Sequence, residues 1–203
     1  MLNVKHSLLS DLRIVTLNLH GFKGNWSYLQ TLLDSYDIVF VQEIWLLECE
    51  LHLLHDLSRE FTVYARTGMA HSVASGIVKG RPYGGVAVLV RNNLSRYITF
   101  CCHDDDGRVI CVKLNTVAVK MLFFGCYFPY NDHSNEYVNK VADVVGFVES
   151  ICQQYSGYKV CVLGDLNFEC NISDAGFCVC ADMAGRYKLA FCDDLASSHI
   201  NYT

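Results

Sequence analysis

Hydrophobic and polar positions along the chain set out a series of short strands, most of which stop at a polar or acidic residue. Ile14-Val15-Thr16-Leu17 is β-rich and ends at Asn18-Leu19-His20-Gly21. Asn25 is placed to cap the next segment, where Leu29, Leu32, Leu33 and Tyr36 recur at helical spacing. Ile38-Val39-Phe40-Val41 is apolar throughout, as expected of a strand covered on both faces, and ends at Gln42-Glu43. A helix is expected from Cys49 to Leu57, and residues 66–82 read as a loop with Gly68, Gly76, Gly80 and Pro82.

Gly84-Gly85 then opens the strand Val86 to Val90. Tyr97 to Cys101 and Val109 to Leu114 alternate as hairpin strands. Asp104-Asp105-Asp106-Gly107 joins them and reads as a turn, not a metal site, because Asp-Gly is a turn signal. Val117 to Cys126 is a further strand, ending at Tyr127-Phe128-Pro129. Val138, Val141, Ala142, Val145, Val148, Ile151 and Cys152 mark an amphipathic helix. Lys159 to Leu163 reads as a buried strand ending at Gly164-Asp165-Leu166-Asn167; beyond it the pattern weakens through a cysteine-rich region.

Apolar strands among hairpins and helices imply packed sheets with helices outside. Asn18, Glu43, Tyr127, and Asp165 with Asn167 all follow strand ends, where ligands of α/β sheets gather. Burying a strand requires no carboxylate there, so the repetition points to chemistry. Glu43 is the best candidate ligand for a hard divalent cation, with Asn18 adding a neutral oxygen. Asp165 is suited to orient and deprotonate water, and Asn167 and Tyr127 to donate hydrogen bonds to phosphate oxygens.

The chain has 203 residues, which suits one α/β domain. Apolar residues make up 52% and charged ones 18%, a composition that excludes a disordered tail. A formal net charge of −5 argues against binding nucleic acid through overall charge and leaves a local basic groove open. Eleven cysteines, with one C-x-C, one adjacent pair and no C-x-x-C, lack zinc-ribbon or disulfide-framework spacing. They read as small buried hydrophobes in a reducing compartment. The N-terminal residues show no secretory pattern and no apolar stretch approaches the ~20 residues of a membrane span. The expectation is an intracellular protein, nuclear or cytoplasmic, off the membrane.

Leu17-Asn18-Leu19-His20-Gly21, Val41-Gln42-Glu43, Tyr127-Phe128-Pro129 and Gly164-Asp165-Leu166-Asn167-Phe168 resemble successive signatures of the endonuclease/exonuclease/phosphatase superfamily. Gly84 to Arg91 and Arg108-Val109-Ile110 are similar to intervening stretches in the AP-endonuclease-like domains of LINE-type non-LTR retrotransposons. The final Tyr202-Thr203 resembles the start of a Tyr-Thr strand there. The resemblance implies a four-layer α/β sandwich of two mostly antiparallel sheets flanked by helices, formed by residues 1–203 as a single domain. It also implies Mg²⁺-dependent nicking of DNA, with Mn²⁺ as an alternative ion and a reverse transcriptase as partner in the full-length element. By position, Asn18 and Glu43 fall on the metal side, and Tyr127 on the phosphate contact. Asp165 and Asn167 fall on the water and transition-state side. Asn131 lies one residue off the position of a phosphate-binding Asn.

The family also carries a late acidic residue and a closing Ser-Asp-His, and neither is present. Ser197-Ser198-His199 lacks the Asp and precedes the Tyr-Thr strand, so His199 reads as a loop residue, and Asp193 and Asp194 as strand-border residues. The expectation is a domain incomplete at its C-terminus, lacking its last strands, with reduced activity. Two alternatives stay open: a phosphatase or phosphodiesterase for lipid or small phosphoesters, and an inactive remnant.

Overall fold

The chain's most apolar run, Ile38–Gln42 (β2), is buried at every position and forms an inner strand of the first of two sheets. The computed structural model describes residues 12–76, 80–134 and 136–191. The readings of Asp193, Asp194, Ser197-Ser198-His199 and Tyr202-Thr203 lie outside these described residues. In the first sheet Ile14–Asn18 (β1) runs parallel to β2. Val86–Arg91 (β4) pairs antiparallel with β2, and Phe61–Arg66 (β3) antiparallel with β4. The second sheet repeats the scheme. Ile98–His103 (β5), Val109–Asn115 (β6) and Lys120–Tyr127 (β7) are antiparallel, and Lys159–Asp165 (β8) lies parallel to β7.

Both sheets are mixed, and helices flank them, giving four layers. Phe22–Ser35 (α1) and the short helix His52–His55 (α2) cover the outer face of the first sheet through Phe22, Leu29, Leu33 and Leu54. Tyr137–Gln154 (α4) and Ala175–Tyr187 (α5) cover the second through Val141, Val145, Val148, Cys180 and Met183. A third core lies between the sheets, built on Ile38, Phe40, Val88, Ile110, Val112 and Phe123. Alternation along each strand supplies both cores: Phe40 faces the partner sheet while Val39 and Val41 face the helices. Gly125 is required where the sheets approach, because a Cβ there would run into the Phe40 ring.

Several expectations are corrected. α1 begins at Phe22, so Asn25 is not its cap; it lies in the first turn and donates its amide to the Leu19 carbonyl at 2.9 Å. The 49–57 helix is a 3₁₀ turn at Glu48–Glu50 followed by the four residues of α2. Within 66–82 the structure forms a short helix, Ala70–Ala74 (α3). Strand β3 and helix α5 arise where no element was read. β8 is half-buried, not buried, because β7 is its one neighbour among the described residues. The acidic run forms the expected β5–β6 turn: Asp104 Oδ1 accepts from the backbone N–H groups of Arg108 and Val109 at 2.9 Å. Cysteines are not uniformly buried either, since Cys49, Cys170 and Cys178 are exposed.

Candidate active site

The two parallel pairings fix where the polar residues collect. β1 beside β2, and β7 beside β8, each present two carboxyl-terminal strand ends on one edge. β1 and β8 then meet across the sandwich. Asn18, at the end of β1, donates its amide from Nδ2 to Asp165 Oδ2 at 2.7 Å. Glu43, just past β2, accepts the Tyr127 hydroxyl on Oε1 at 2.5 Å. His20 Nδ1 stands 2.9 Å from the other carboxylate oxygen, Oε2. Four strand ends from two sheets thus converge through two carboxylates.

The backbone is shaped to aim these groups. Four of the six described non-glycine residues in the left-handed region belong to this site: His20 (φ 50°), Glu43 (φ 54°), Trp45 (φ 52°) and Asn167 (φ 51°). Each such residue costs roughly 1–2 kcal/mol, and such residues collect at functional sites. Local hydrogen bonds hold the turns: Asn18 Oδ1 accepts the His20 N–H at 3.1 Å, and Gly21 N–H donates to the Glu43 carbonyl at 2.8 Å. On the other side Asn167 N–H donates to Asp165 Oδ1 at 3.2 Å, and Asn167 Nδ2 to the Phe128 carbonyl at 2.9 Å.

Tyr127 is half-buried, and its hydroxyl faces a carboxylate. Burial first, and then the hydrogen bond to Glu43, push its pKa above the ordinary tyrosine range. The phenol therefore remains a donor. Arg108 lies across its ring, with the guanidinium carbon 5.6 Å from the centroid; the Arg108 carbonyl accepts the Tyr127 N–H at 2.7 Å and its guanidinium donates to the Tyr127 carbonyl at 3.4 Å.

The structure brings together Asn18, Glu43, Tyr127, Asp165 and Asn167. Asn131 sits apart, with its amide on Asp174 Oδ2 at 3.4 Å; Asp174 also caps α5 by accepting from Gly176 and Phe177 N–H. His20 was not singled out from sequence, although it lies in the Asn18-Leu19-His20-Gly21 turn. The rim residues Trp45 and Arg81 were missed as well. Arg81 stacks over the Trp45 indole at 4.2 Å, and the indole lies edge-on to His20 at 6.3 Å. Arg81 follows a glycine and precedes Pro82 in an irregular loop, so no local pattern marks it.

Two mixed sheets packed face to face, with carboxylates and amides gathered at one edge, define an α/β sandwich whose site suits phosphoester chemistry. Residues 15–177 match the model of the Endonuclease/Exonuclease/phosphatase family, and the chain belongs to that family. Members are hydrolases acting on phosphodiester bonds and generally use divalent metal ions. Among solved structures, the chain resembles an AP endonuclease from Leishmania major (TM-score 0.63, 13% identity, 86% of this chain and 66% of that one). It also resembles an AP endonuclease from Archaeoglobus fulgidus (TM-score 0.56, 14% identity, 86% and 70%). A third is the 3′ phosphatase NExo from Neisseria bound to a product DNA hairpin (TM-score 0.55, 18% identity, 80% and 60%). The chain thus spans three fifths of the length of that last neighbour. No curated protein matches it. No helix among the described residues is long and apolar enough to cross a membrane.

Proposed function

We propose that this chain carries the hydrolytic site of a Mg²⁺-dependent phosphodiesterase that nicks DNA, of the kind encoded by LINE-type retroelements alongside a reverse transcriptase. The observation that carries the reading is the 2.7 Å contact between Asn18 and Asp165, which joins the two sheets at their strand ends. The donor set fits a hard cation. Glu43 and Asp165 offer carboxylate oxygens and Asn18 an amide oxygen, with no sulfur among them. Glu43 would hold the ion. The partner on its Oε2 is His20, an exposed side chain that can turn away without opening the core. Mg²⁺, or Mn²⁺ in its place, supplies charge neutralisation on the phosphate and a stabilised leaving oxygen when bound.

The chain's own residues divide the remaining work. Asp165 orients a water and takes its proton. Asn18 positions that carboxylate through Oδ2, and the Asn167 N–H positions it through Oδ1. Asn167 has a second amide N–H beyond the one on Phe128, and this one is available to a phosphate oxygen. Tyr127 has a single proton, directed at Glu43, so it orients the metal-side carboxylate until a phosphate oxygen draws it away. Asn131 is the further phosphate-contact candidate, and that role requires it to release its 3.4 Å hydrogen bond to Asp174. The rim of Trp45 and Arg81 offers a stacking surface and a cation to the nucleic acid.

A supercoiled-plasmid nicking assay tests this. Wild-type chain nicks with Mg²⁺ and stops with EDTA, while Glu43→Gln and Asp165→Asn lose about 10²- to 10³-fold. Absence of nicking by soluble chain with native circular dichroism would refute the reading.

A further inference from the structure

Away from that site, the outer face of the second sheet gathers three thiols that no spacing motif announces. β5 carries a bulge between Phe100 and Cys102: Phe100 pairs with Val112, but Cys102 pairs with Cys111. The extra residue is Cys101. A regular strand would send Cys101 and Cys102 to opposite faces, and the bulge breaks that alternation. As a result the Sγ atoms of Cys101, Cys102 and Cys111 all lie within 4.8 Å of one another. Cys111 is buried, whereas Cys101 and Cys102 are half-exposed, so the cluster is open on one side.

We propose that Cys101, Cys102 and Cys111 form a binding site for a soft, thiophilic cation, Zn²⁺ being the ion argued here, separate from the phosphodiesterase site. Zn–S bonds of 2.3 Å in tetrahedral geometry put ligand sulfurs about 3.8 Å apart, so small rotamer changes bring this trio into range. Three thiolates leave the fourth position to water or to the hydroxyl of Tyr155, which packs against the same core. Lys113, on β6 two residues from Cys111, reaches the same hydroxyl at 3.4 Å and supplies positive charge. The close Sγ groups of Cys102 and then Cys111 hold the Cys101 thiol below the usual thiol range. The same contacts push the Cys111 thiol up. Binding Zn²⁺ at all three sulfurs expels the thiol protons, which makes affinity rise with pH.

The cluster lies on the α4 side of the sheet, whereas Tyr127 faces the inter-sheet core. In register Cys111 pairs with Phe124, three residues from Tyr127, or about 10 Å along the strand. A thiolate-bound ion can therefore be told from one held by Glu43.

The test uses reduced, metal-free chain titrated anaerobically with Co²⁺ as the spectroscopic probe, followed by Zn²⁺. One equivalent of Co²⁺ raises a sulfur-to-cobalt charge-transfer band in the near ultraviolet, and Zn²⁺ abolishes it. The band weakens in Cys102→Ser, is lost in the Cys101→Ser/Cys102→Ser double variant and persists in Glu43→Gln. Both cysteine positions are half-exposed, and near-ultraviolet circular dichroism verifies that the variants are folded. The proposal is overturned if no band develops while thiol titration shows the cysteines reduced. It is equally overturned if the folded double variant keeps the full band, which would place the thiolates elsewhere.

Discussion

Removing the Tyr127 hydroxyl isolates the contact that ties the second sheet to Glu43 on the first. Tyr127→Phe keeps the ring and its packing but deletes the donor on Glu43 Oε1. A hydrogen bond to a charged group contributes about 1.5–3 kcal/mol. The Glu43 side chain is only 15% exposed, so screening reduces this little, and Oε2 keeps His20. We expect a loss of ~2 kcal/mol in urea unfolding followed by the fluorescence of Trp26 and Trp45, with an unchanged m-value. For a chain of this size the corresponding fall in Tm is about 4–8 °C. The pH dependence adds a second signature. The folded-state pKa of Tyr127 is raised, so its contribution is fully present below the unfolded value of ~10 and is lost as pH rises through the folded value. The gap between wild type and Tyr127→Phe should hold constant across neutral pH and narrow above about pH 10. A difference under ~0.5 kcal/mol at pH 7, or a gap that ignores alkaline pH, refutes the claim that this bond joins the sheets.

Other consequences are open to simpler checks. Gly125→Ala forces a methyl against Phe40 between the sheets and should cost about 1–3 kcal/mol, measured by chemical denaturation. Asp174→Ala removes the α5 cap, which also accepts the Tyr137 hydroxyl at 3.2 Å; a loss of roughly 1–2 kcal/mol is expected, with faster amide exchange in the first turn of α5. Phe40→Ala empties the centre of the inter-sheet core, and about 3–5 kcal/mol should be lost by the same denaturation. Asn18→Ala removes both the amide oxygen offered to the cation and the donor on Asp165, so it should lower the nicking rate and raise the Mg²⁺ concentration needed for half-saturation, read by titrating Mg²⁺ in the plasmid assay.

Much of the element list was legible from local pattern. Buried strands such as β2 and β4 were visible because burial on both faces demands an uninterrupted apolar run, and α4 because one-sided burial of a helix demands a 3.6-residue period. The polar groups at strand ends were legible for a related reason, since a carboxylate after an apolar strand has no packing purpose. β3 and α5 were not. β3 is a six-residue alternation, short enough to merge with the flanking loop. α5 contains Gly176, Gly185 and two cysteines, and depends on the Asp174 cap and on packing against α4.

The sequence by itself determined the chemistry on offer: which residues follow which strands, and the family signatures they compose. Only the tertiary structure decided how they pair. Asn18 meets Asp165 across 147 residues, and Glu43 meets Tyr127 across 84. No window along the chain contains either contact, because each depends on two parallel strand pairs being packed face to face. The three-thiol cluster likewise depends on one bulge in β5, a register shift that side-chain pattern does not encode.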